Sequence, residues 1–131
     1  MSVTVYPFLM FTGTAEAAMN FYVSVVPDSR IVSLERFAAG EDGEAGKVKA
    51  ATFEVAGQPV RCFDTNFDHG FGLTPAFSLV IATPDIADVE RYAIALGAGG
   101  DVLMPPDDYG FSKRFAWVQD RFGVSWQINC E

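Results

Sequence analysis

The residue types that could do chemistry are few in this sequence, with one histidine and two cysteines. His69 could act as a general base, because the unperturbed pKa of imidazole lies near neutrality; the alternative is a solvated histidine in a loop. Cys62 could be a reactive thiol, which needs a nearby cation to lower its pKa, whereas a buried cysteine behaves as a small apolar residue. Because Arg61 would point to the opposite face of a strand, the apolar role is favoured for Cys62.

Uncharged polar side chains recur on the last predicted strand. Ser125, Gln127 and Asn129 would share one face of it, because the side chains of a strand alternate between the two faces of a sheet. That face is either exposed to solvent or lines a ligand site. Amides and hydroxyls in such a site could orient a ligand without a heavy desolvation cost.

Four aromatic residues lie near the end of the chain, at Tyr109, Phe111, Phe115 and Trp117. They could fill the core, or they could form a wall on which a flat or cationic ligand stacks. Arg114, in the same segment, could hold an anion through its guanidinium group or form a surface ion pair. The residues alone leave both pairs of alternatives open.

Three aspartates are candidate acid/base groups, at positions 64, 107 and 108. Asp107 and Asp108 belong to the run Pro-Pro-Asp-Asp-Tyr-Gly, where turn formation explains them. Asp64 ends a predicted strand. It is followed by a loop, residues 65–74, in which Phe67 and Phe71 lie on a glycine-containing backbone.

The composition fits one domain of 131 residues, since half of them are apolar and no disulfide or metal is needed to complete the core. The formal net charge is −8. Nucleic acids and anionic membrane surfaces are not expected as partners, because both select for clusters of basic residues. The densest basic pairs here are only Lys47/Lys49 and Lys113/Arg114. The acidity serves solubility or attracts cationic ligands.

No apolar stretch approaches the roughly 20 residues that span a bilayer. The residues that follow Met1 show neither the basic nor the apolar region of a signal peptide. Two cysteines are too few for a disulfide framework. We therefore expect a cytoplasmic protein whose thiols are reduced.

Alternating apolar residues predict eight strands, and two segments with a helical apolar period predict two helices. The first helix would be capped by Thr14 and stopped by Pro27; the second would be capped by Thr83, begin at Pro84 and end at Gly97. The predicted strands cover residues 3–11, 31–37, 48–55, 60–64, 76–82, 101–104, 111–119 and 124–130. The order β-α-β-β-β thus occurs twice, offset by about 65–70 positions, which favours an α/β or α+β fold.

Two segments resemble PhnB-like proteins of the vicinal-oxygen-chelate superfamily, which includes glyoxalases, bleomycin-resistance proteins and dioxygenases. One is the opening Pro7-Phe8-Leu9-Met10-Phe11 followed by Ala15-Glu16-Ala17-Ala18-Met19-Asn20-Phe21-Tyr22, and the other is the closing run from Tyr109 to Gln127. The resemblance implies an α+β fold of two tandem βαβββ modules, residues 1–68 and 74–131, that form a cupped mixed β-sheet with helices on its outer face. It also implies a single domain over 1–131 and a homodimer.

Metalloenzymes of this superfamily place their ligands at four strand positions. By resemblance these fall on Pro7, Cys62, Ala76 and Gln127. Divalent metals need imidazole, carboxylate or thiolate ligands, and neither Pro7 nor Ala76 has a ligating side chain. The resemblance therefore implies neither a metal nor another cofactor.

The resemblance implies a PhnB-like protein that binds a small molecule in a metal-free cup. The residues expected to line the cup are Cys62, Tyr109, Phe111, Arg114, Trp117, Gln127 and Asn129. The alternatives are a metal-dependent lyase, isomerase or dioxygenase, and the demethylubiquinone methyltransferase activity that the family's label suggests. An enzyme that uses S-adenosylmethionine would carry a glycine-rich turn after a strand, whereas the run from Gly97 to Gly100 follows a predicted helix. Whether the protein is an enzyme at all stays open.

Overall fold

The computed structural model describes residues 2–131, which form two compact units separated after Gly72. Unit 1 contains β1 (Phe8–Phe11), α1 (Ala15–Val25), β2 (Arg30–Arg36), β3 (Val48–Val55) and β4 (Gln58–Asp64). Unit 2 contains β5 (Ser78–Ala82), α2 (Ile86–Gly97), β6 (Asp101–Asp107), β7 (Arg114–Gln119) and β8 (Ser125–Cys130). Each unit has the order β-α-β-β-β, so the predicted α+β fold of two tandem modules is confirmed. Neither helix is long and apolar enough to cross a membrane.

The four strands of unit 1 form a mixed sheet in the order β1-β4-β3-β2. β1 runs parallel to β4, and β3 is antiparallel to both of its neighbours. α1 packs on this sheet through one stripe of side chains, because Ala15, Ala18, Met19 and Tyr22 are buried and recur at helical spacing. The buried apolar side chains that the sheet contributes are Leu9, Phe11, Val48, Ala51, Phe53, Val55, Val60 and Cys62.

Unit 2 repeats this arrangement, with the sheet order β5-β8-β7-β6 and β5 parallel to β8. α2 contacts β6, β7 and β8, and it buries Val89, Tyr92, Ala93 and Leu96. The buried apolar side chains of the sheet are Leu79, Phe115, Ala116, Val118, Trp126, Ile128 and Cys130. Each helix therefore covers one face of its own sheet.

Several strand ends differ from the prediction. The first strand was expected from Val3, but β1 begins at Phe8, where pairing with β4 starts. β6 was expected to end at Met104 and instead continues to Asp107 through two prolines. Proline is tolerated there because β6 is an edge strand, paired only with β7, and one of its sides needs no N–H donors.

The structure places Thr14 at the N-cap position of α1, as predicted, but it places Asp85 and not Thr83 at that of α2. Thr14 makes no side-chain cap hydrogen bond to α1; the carboxylate of Asp64 accepts from the backbone N–H of Ala15 instead, at 3.0 Å. The second helix begins at Ile86, capped by Asp85, whose Oδ1 accepts from the N–H of Ala87 at 3.0 Å. The free N–H groups of a helix end can be satisfied by any residue that the tertiary structure brings there, which explains why Asp64 and not the Thr14 side chain accepts from α1.

Candidate functional site

One face of the unit 2 sheet is not covered by α2, and we call it the open face. The alternation of β5, β7 and β8 sends Ala116, Val118, Trp126 and Ile128 to the helix side, where all four are buried. The open face therefore carries the intervening residues of these strands: Ser78, Val80, Ala82, Phe115, Trp117, Gln119, Ser125, Gln127 and Asn129. None of these nine residues is charged, although charged residues make up 20% of the chain.

A hydrogen-bonded row crosses the open face. The indole Nε1 of Trp117 donates to Ser125 Oγ at 2.8 Å, and Ser125 Oγ lies 2.7 Å from Ser78 Oγ. Gln127 Nε2 then donates to Ser78 Oγ at 3.1 Å. The row exists because the parallel register of β5 and β8 places Ser78 opposite Ser125. It locks four side chains in one orientation.

Asn129 lies at the far end of the same face, opposite Phe115 of β7 and Ala82 of β5. Its side-chain Oδ1 is buried and accepts no hydrogen bond from residues 2–131. A buried carbonyl oxygen without a donor costs free energy, so such atoms are uncommon and often mark functional positions. Asn129 thus holds a hydrogen-bond acceptor without a partner.

An aromatic cluster adjoins the open face through Phe115. The ring centroid of Phe115 lies 5.0 Å from that of Phe111 and 6.1 Å from that of Tyr109. Phe115 is buried, whereas Phe111 is 62% exposed, so the cluster has a packed part and a solvated part. The phenol of Tyr109 donates to the carbonyl of Pro105, which fixes that ring. Phe115 therefore packs as a core residue, whereas the exposed Phe111 remains available for stacking with a ligand.

Arg114 lies on the other side of the unit 2 sheet. Its guanidinium Nη2 forms an ion pair with Glu90 of α2. These two residues line a hollow of about 300 Å³ with Ile94 and Pro106. Of the two roles weighed for Arg114, the structure shows the surface ion pair, and it separates this residue from Trp117, Gln127 and Asn129.

Cys62 lies in the core of unit 1 and not on a sheet face that a ligand could reach. It is 1% exposed, and it shares its face of β4 with the buried residues Val60 and Asp64. Burial, with a smaller contribution from the charge of Asp64, raises the pKa of the Cys62 thiol to about 12. The thiol is therefore protonated at neutral pH, as expected for a structural cysteine.

We expect Cys62 to resist alkylation by iodoacetamide in the folded protein at about pH 8, because the thiolate is the nucleophile. Intact-mass spectrometry should show no adduct before unfolding and two adducts in urea, one for each free cysteine.

The unfolding free energy should also fall as the pH rises from about 9 towards 12, since a pKa raised in the folded state stabilises the fold only while the thiol stays protonated. Cys62→Ala should reduce that fall. Rapid native labelling of Cys62 would contradict this placement.

A cavity of about 380 Å³ lies in unit 1, beside the loop that follows β4. His69 lines it, with its Nε2 3.1 Å from Thr65 Oγ1 and its ring between Phe67 and Phe71, at centroid distances of 4.9 and 5.7 Å. Lys47 also lines the cavity and donates from Nζ to the Gly13 carbonyl at 3.1 Å. Sequence reasoning treated His69 as a lone loop residue and missed this cavity. Phe67 and Phe71 in the loop were the sequence feature that could have indicated the cavity.

The remaining acidic candidates have structural roles. Asp64 accepts from three backbone N–H groups, those of Gly13, Ala15 and Val48. Asp107 is the last residue of β6, not part of a turn, and accepts from the N–H of Asp108. Asp108 accepts from the N–H of Gly110, as turn formation predicts. No group of three or more His, Cys, Asp or Glu side chains in residues 2–131 is arranged to hold a metal ion.

Known proteins place the chain in a family. Residues 3–129 match the family model described as 3-demethylubiquinone-9 3-methyltransferase. The solved structure of a PhnB protein from Bacillus cereus is 40% identical to the chain, with a TM-score of 0.93 over 98% of this chain and 100% of that one. The chain belongs to the PhnB-like family.

Two more distant likenesses also extend over most of the chain. Protein YjdN of Escherichia coli (strain K12) is 24% identical over 136 residues, which cover 94% of the PhnB-like chain and 92% of its relative. A glyoxalase-related enzyme from Fulvimarina pelagi is 16% identical, with a TM-score of 0.66 over 98% of this chain and 89% of that one. This last likeness shows the fold alone.

Proposed function

We propose that this PhnB-like protein binds a small molecule on the open face of unit 2. The observation that carries the proposal is the row of uncharged, hydrogen-bonded side chains that ends near the unused acceptor Asn129 Oδ1. Ligand sites combine apolar and aromatic walls with a few precisely placed polar groups. The open face has this composition, with Trp117 and Phe115 as its rings. A sheet face that only meets water would carry charged residues in a chain of net charge −8.

Binding can be mapped by nuclear magnetic resonance with a set of flat, uncharged fragments. We expect the signals that shift to be the Trp117 indole N–H and the side-chain amides of Gln127 and Asn129. Val80→Asp should weaken binding at least about tenfold, because it buries a carboxylate under the ligand. The matched control is Ile94→Asp, which makes the same change at an exposed residue of α2. Shifts confined to the cavity around His69 would overturn the proposal.

The proposed site works without a metal, since by family resemblance two of the four ligand positions fall on Pro7 and Ala76. Plasma mass spectrometry of untagged protein should find no stoichiometric metal. Adding zinc, nickel, manganese or iron should leave the melting temperature unchanged, because a ligand stabilises the fold only if it binds the native state. Near-stoichiometric metal, or a large shift with one ion, would restore the metalloenzyme alternative.

The methyltransferase activity in the family's description gains no support from the glycine run. Gly97 ends α2, and Gly99 has the left-handed backbone conformation, with φ of 77°, that commonly follows a helix. The run therefore stops a helix and does not follow a strand. Calorimetric titration with S-adenosylmethionine should show no binding.

We also propose that two copies associate as a homodimer in the cytoplasm. Phe8 and Phe77, which lie outside the proposed ligand site, are 64% and 61% exposed and offer apolar surface to a partner. A second copy that covers them would remove this apolar surface from water. Light scattering after gel filtration should give twice the chain mass of 14.2 kDa. The free thiols suit a reducing compartment.

A further inference from the structure

The proton positions in the row across the open face follow from burial. Ser125 is 1% exposed, and its Oγ accepts from the Trp117 indole. If Ser78 donated to Ser125, the Ser125 hydroxyl hydrogen would be buried without an acceptor. Ser125 therefore donates to Ser78. Ser78 Oγ then accepts from both Ser125 and Gln127, which fills its two lone pairs and leaves its own hydrogen to be donated.

Two amide oxygens of β8 remain as acceptors on the same face. Gln127 uses its Nε2 on Ser78, and its Oε1 accepts from no residue in the described part of the chain. Asn129 Oδ1 is buried and equally without a donor. The two residues are separated by one position on the strand, so their side chains start about 7 Å apart. The open face therefore offers one hydroxyl donor, on Ser78, and two acceptors in a line.

This arrangement of one hydrogen-bond donor and two acceptors favours an uncharged ligand. No lysine or arginine of β5, β7 or β8 lies on the open face to neutralise an anion, and the two amide oxygens would repel one. No carboxylate of these three strands lies there to neutralise a cation either, and those of Asp101 and Asp107 are confined to the edge strand β6, opposite Gln119 and Phe115. Transferring an unpaired charge from water into such a site is costly. A neutral ligand with its own N–H or O–H groups and an acceptor can form hydrogen bonds with all three unused groups, which are the Ser78 hydroxyl and the amide oxygens of Gln127 and Asn129.

We propose that the open face takes an uncharged aromatic ligand that donates two N–H or O–H hydrogen bonds from one edge, to Gln127 Oε1 and to Asn129 Oδ1, which the Asn129 side chain exposes by rotating as the ligand binds. The ring packs against the Trp117 indole, and an acceptor on the ligand receives the Ser78 hydroxyl. This inference rests on the proposed function and specifies its ligand class. The ligand satisfies the buried Asn129 oxygen, which gains most from a donor because an unsatisfied buried acceptor is costly.

The test uses four probes that share one ring geometry, titrated into the full chain and followed by the Trp117 indole signal. Resorcinol is neutral and has two hydroxyl donors on one edge, and its dimethyl ether has the same shape without donors. Isophthalate and meta-xylylenediamine are its anionic and cationic counterparts. We expect resorcinol to bind on the order of tenfold more tightly than each of the other three.

Asn129→Leu separates recognition from folding. It should weaken resorcinol binding on the order of tenfold and leave the ether unchanged, since only resorcinol donates to the amide. Its melting temperature should be at least that of the parent, because the substitution removes an unsatisfied buried oxygen. Gln127→Leu gives a second variant with the same expected split between the two probes.

The outcomes distinguish the inference from the proposed function. If the ether, isophthalate or the diamine binds the open face as well as resorcinol, the ligand class is wrong and the site stands. If Asn129→Leu weakens resorcinol and the ether equally, Asn129 only shapes the face and the inference also fails. If no probe shifts the Trp117 indole signal, both the inference and the proposed site are overturned.

Discussion

Replacing Asp64 by alanine is expected to lower the free energy of unfolding by about 4 kcal/mol. The carboxylate accepts from Gly13 and Ala15 through Oδ1, at 2.9 and 3.0 Å, and from Val48 through Oδ2 at 3.0 Å. The bonds to Ala15 and Val48 are buried, so water cannot replace the lost acceptor. One side chain thus joins the end of β4 to the start of α1 and of β3. Urea unfolding followed by circular dichroism measures the change.

Two variants show whether the effect comes from these three bonds. Asp64→Asn keeps Oδ1 for Gly13 and Ala15 but turns an NH₂ group towards the Val48 N–H, so we expect an intermediate loss. Asp68→Ala removes an exposed aspartate with a single bond, to the Gly70 N–H, and should change stability by less than about 0.5 kcal/mol. A loss below about 1 kcal/mol for Asp64→Ala would mean that the helix end finds another cap.

The same residue shows where sequence reasoning reached its limit. α1 was predicted from its apolar period, and the structure confirms the helix over Ala15–Val25. Its cap was assigned to Thr14 because capping signals are read within a few residues of a helix end. The true acceptor lies 49 residues further along the chain. Only the tertiary fold brings it there.

For the candidate site, too, the sequence predicted one part and left another part unpredicted. Alternation along β8 placed Ser125, Gln127 and Asn129 on one face, and the structure agrees. The part played by Ser78 was not predictable, because it depends on the parallel register of β5 and β8, which joins residues 47 positions apart. Parallel strands are linked by a long crossover that leaves no local record of their register.

Cys62 illustrates a different limit. Alternation correctly groups it with Val60 and against Arg61, whose guanidinium stacks on Tyr6, 4.4 Å from the ring centroid. Alternation does not say which of the two faces a helix will cover. The family pattern placed Cys62 among the ligand-lining residues, whereas α1 packs on its side of the sheet. The alternation of residues along β4 shows which side chains share a face, but only the packing of α1 decides which face belongs to the core.

In unit 2, Gly100→Ala is expected to lower the free energy of unfolding by at least about 3 kcal/mol. A Cβ at this position would lie 2.1 Å from the carbonyl oxygen of Gln119 and 2.8 Å from the carbonyl carbon of Asp120. Both are backbone atoms, so no side-chain rotation relieves the overlap. The start of β6 would have to move away from β7, with which it pairs from its first residue, Asp101.

The backbone on the other side of this contact cannot yield cheaply. Asp120 is 3% exposed, and its Oδ1 accepts from the N–H groups of Phe122 and Val124 while its Oδ2 accepts from the Trp126 indole. Moving residue 120 would break these bonds together. Gly72→Ala is the matched control, because no atom lies within 4 Å of the Cβ it would add, and its stability should stay within about 0.5 kcal/mol of the parent. Equal stability of the two variants would show that β6 can shift away from β7, which would also loosen the edge of the sheet that carries the open face.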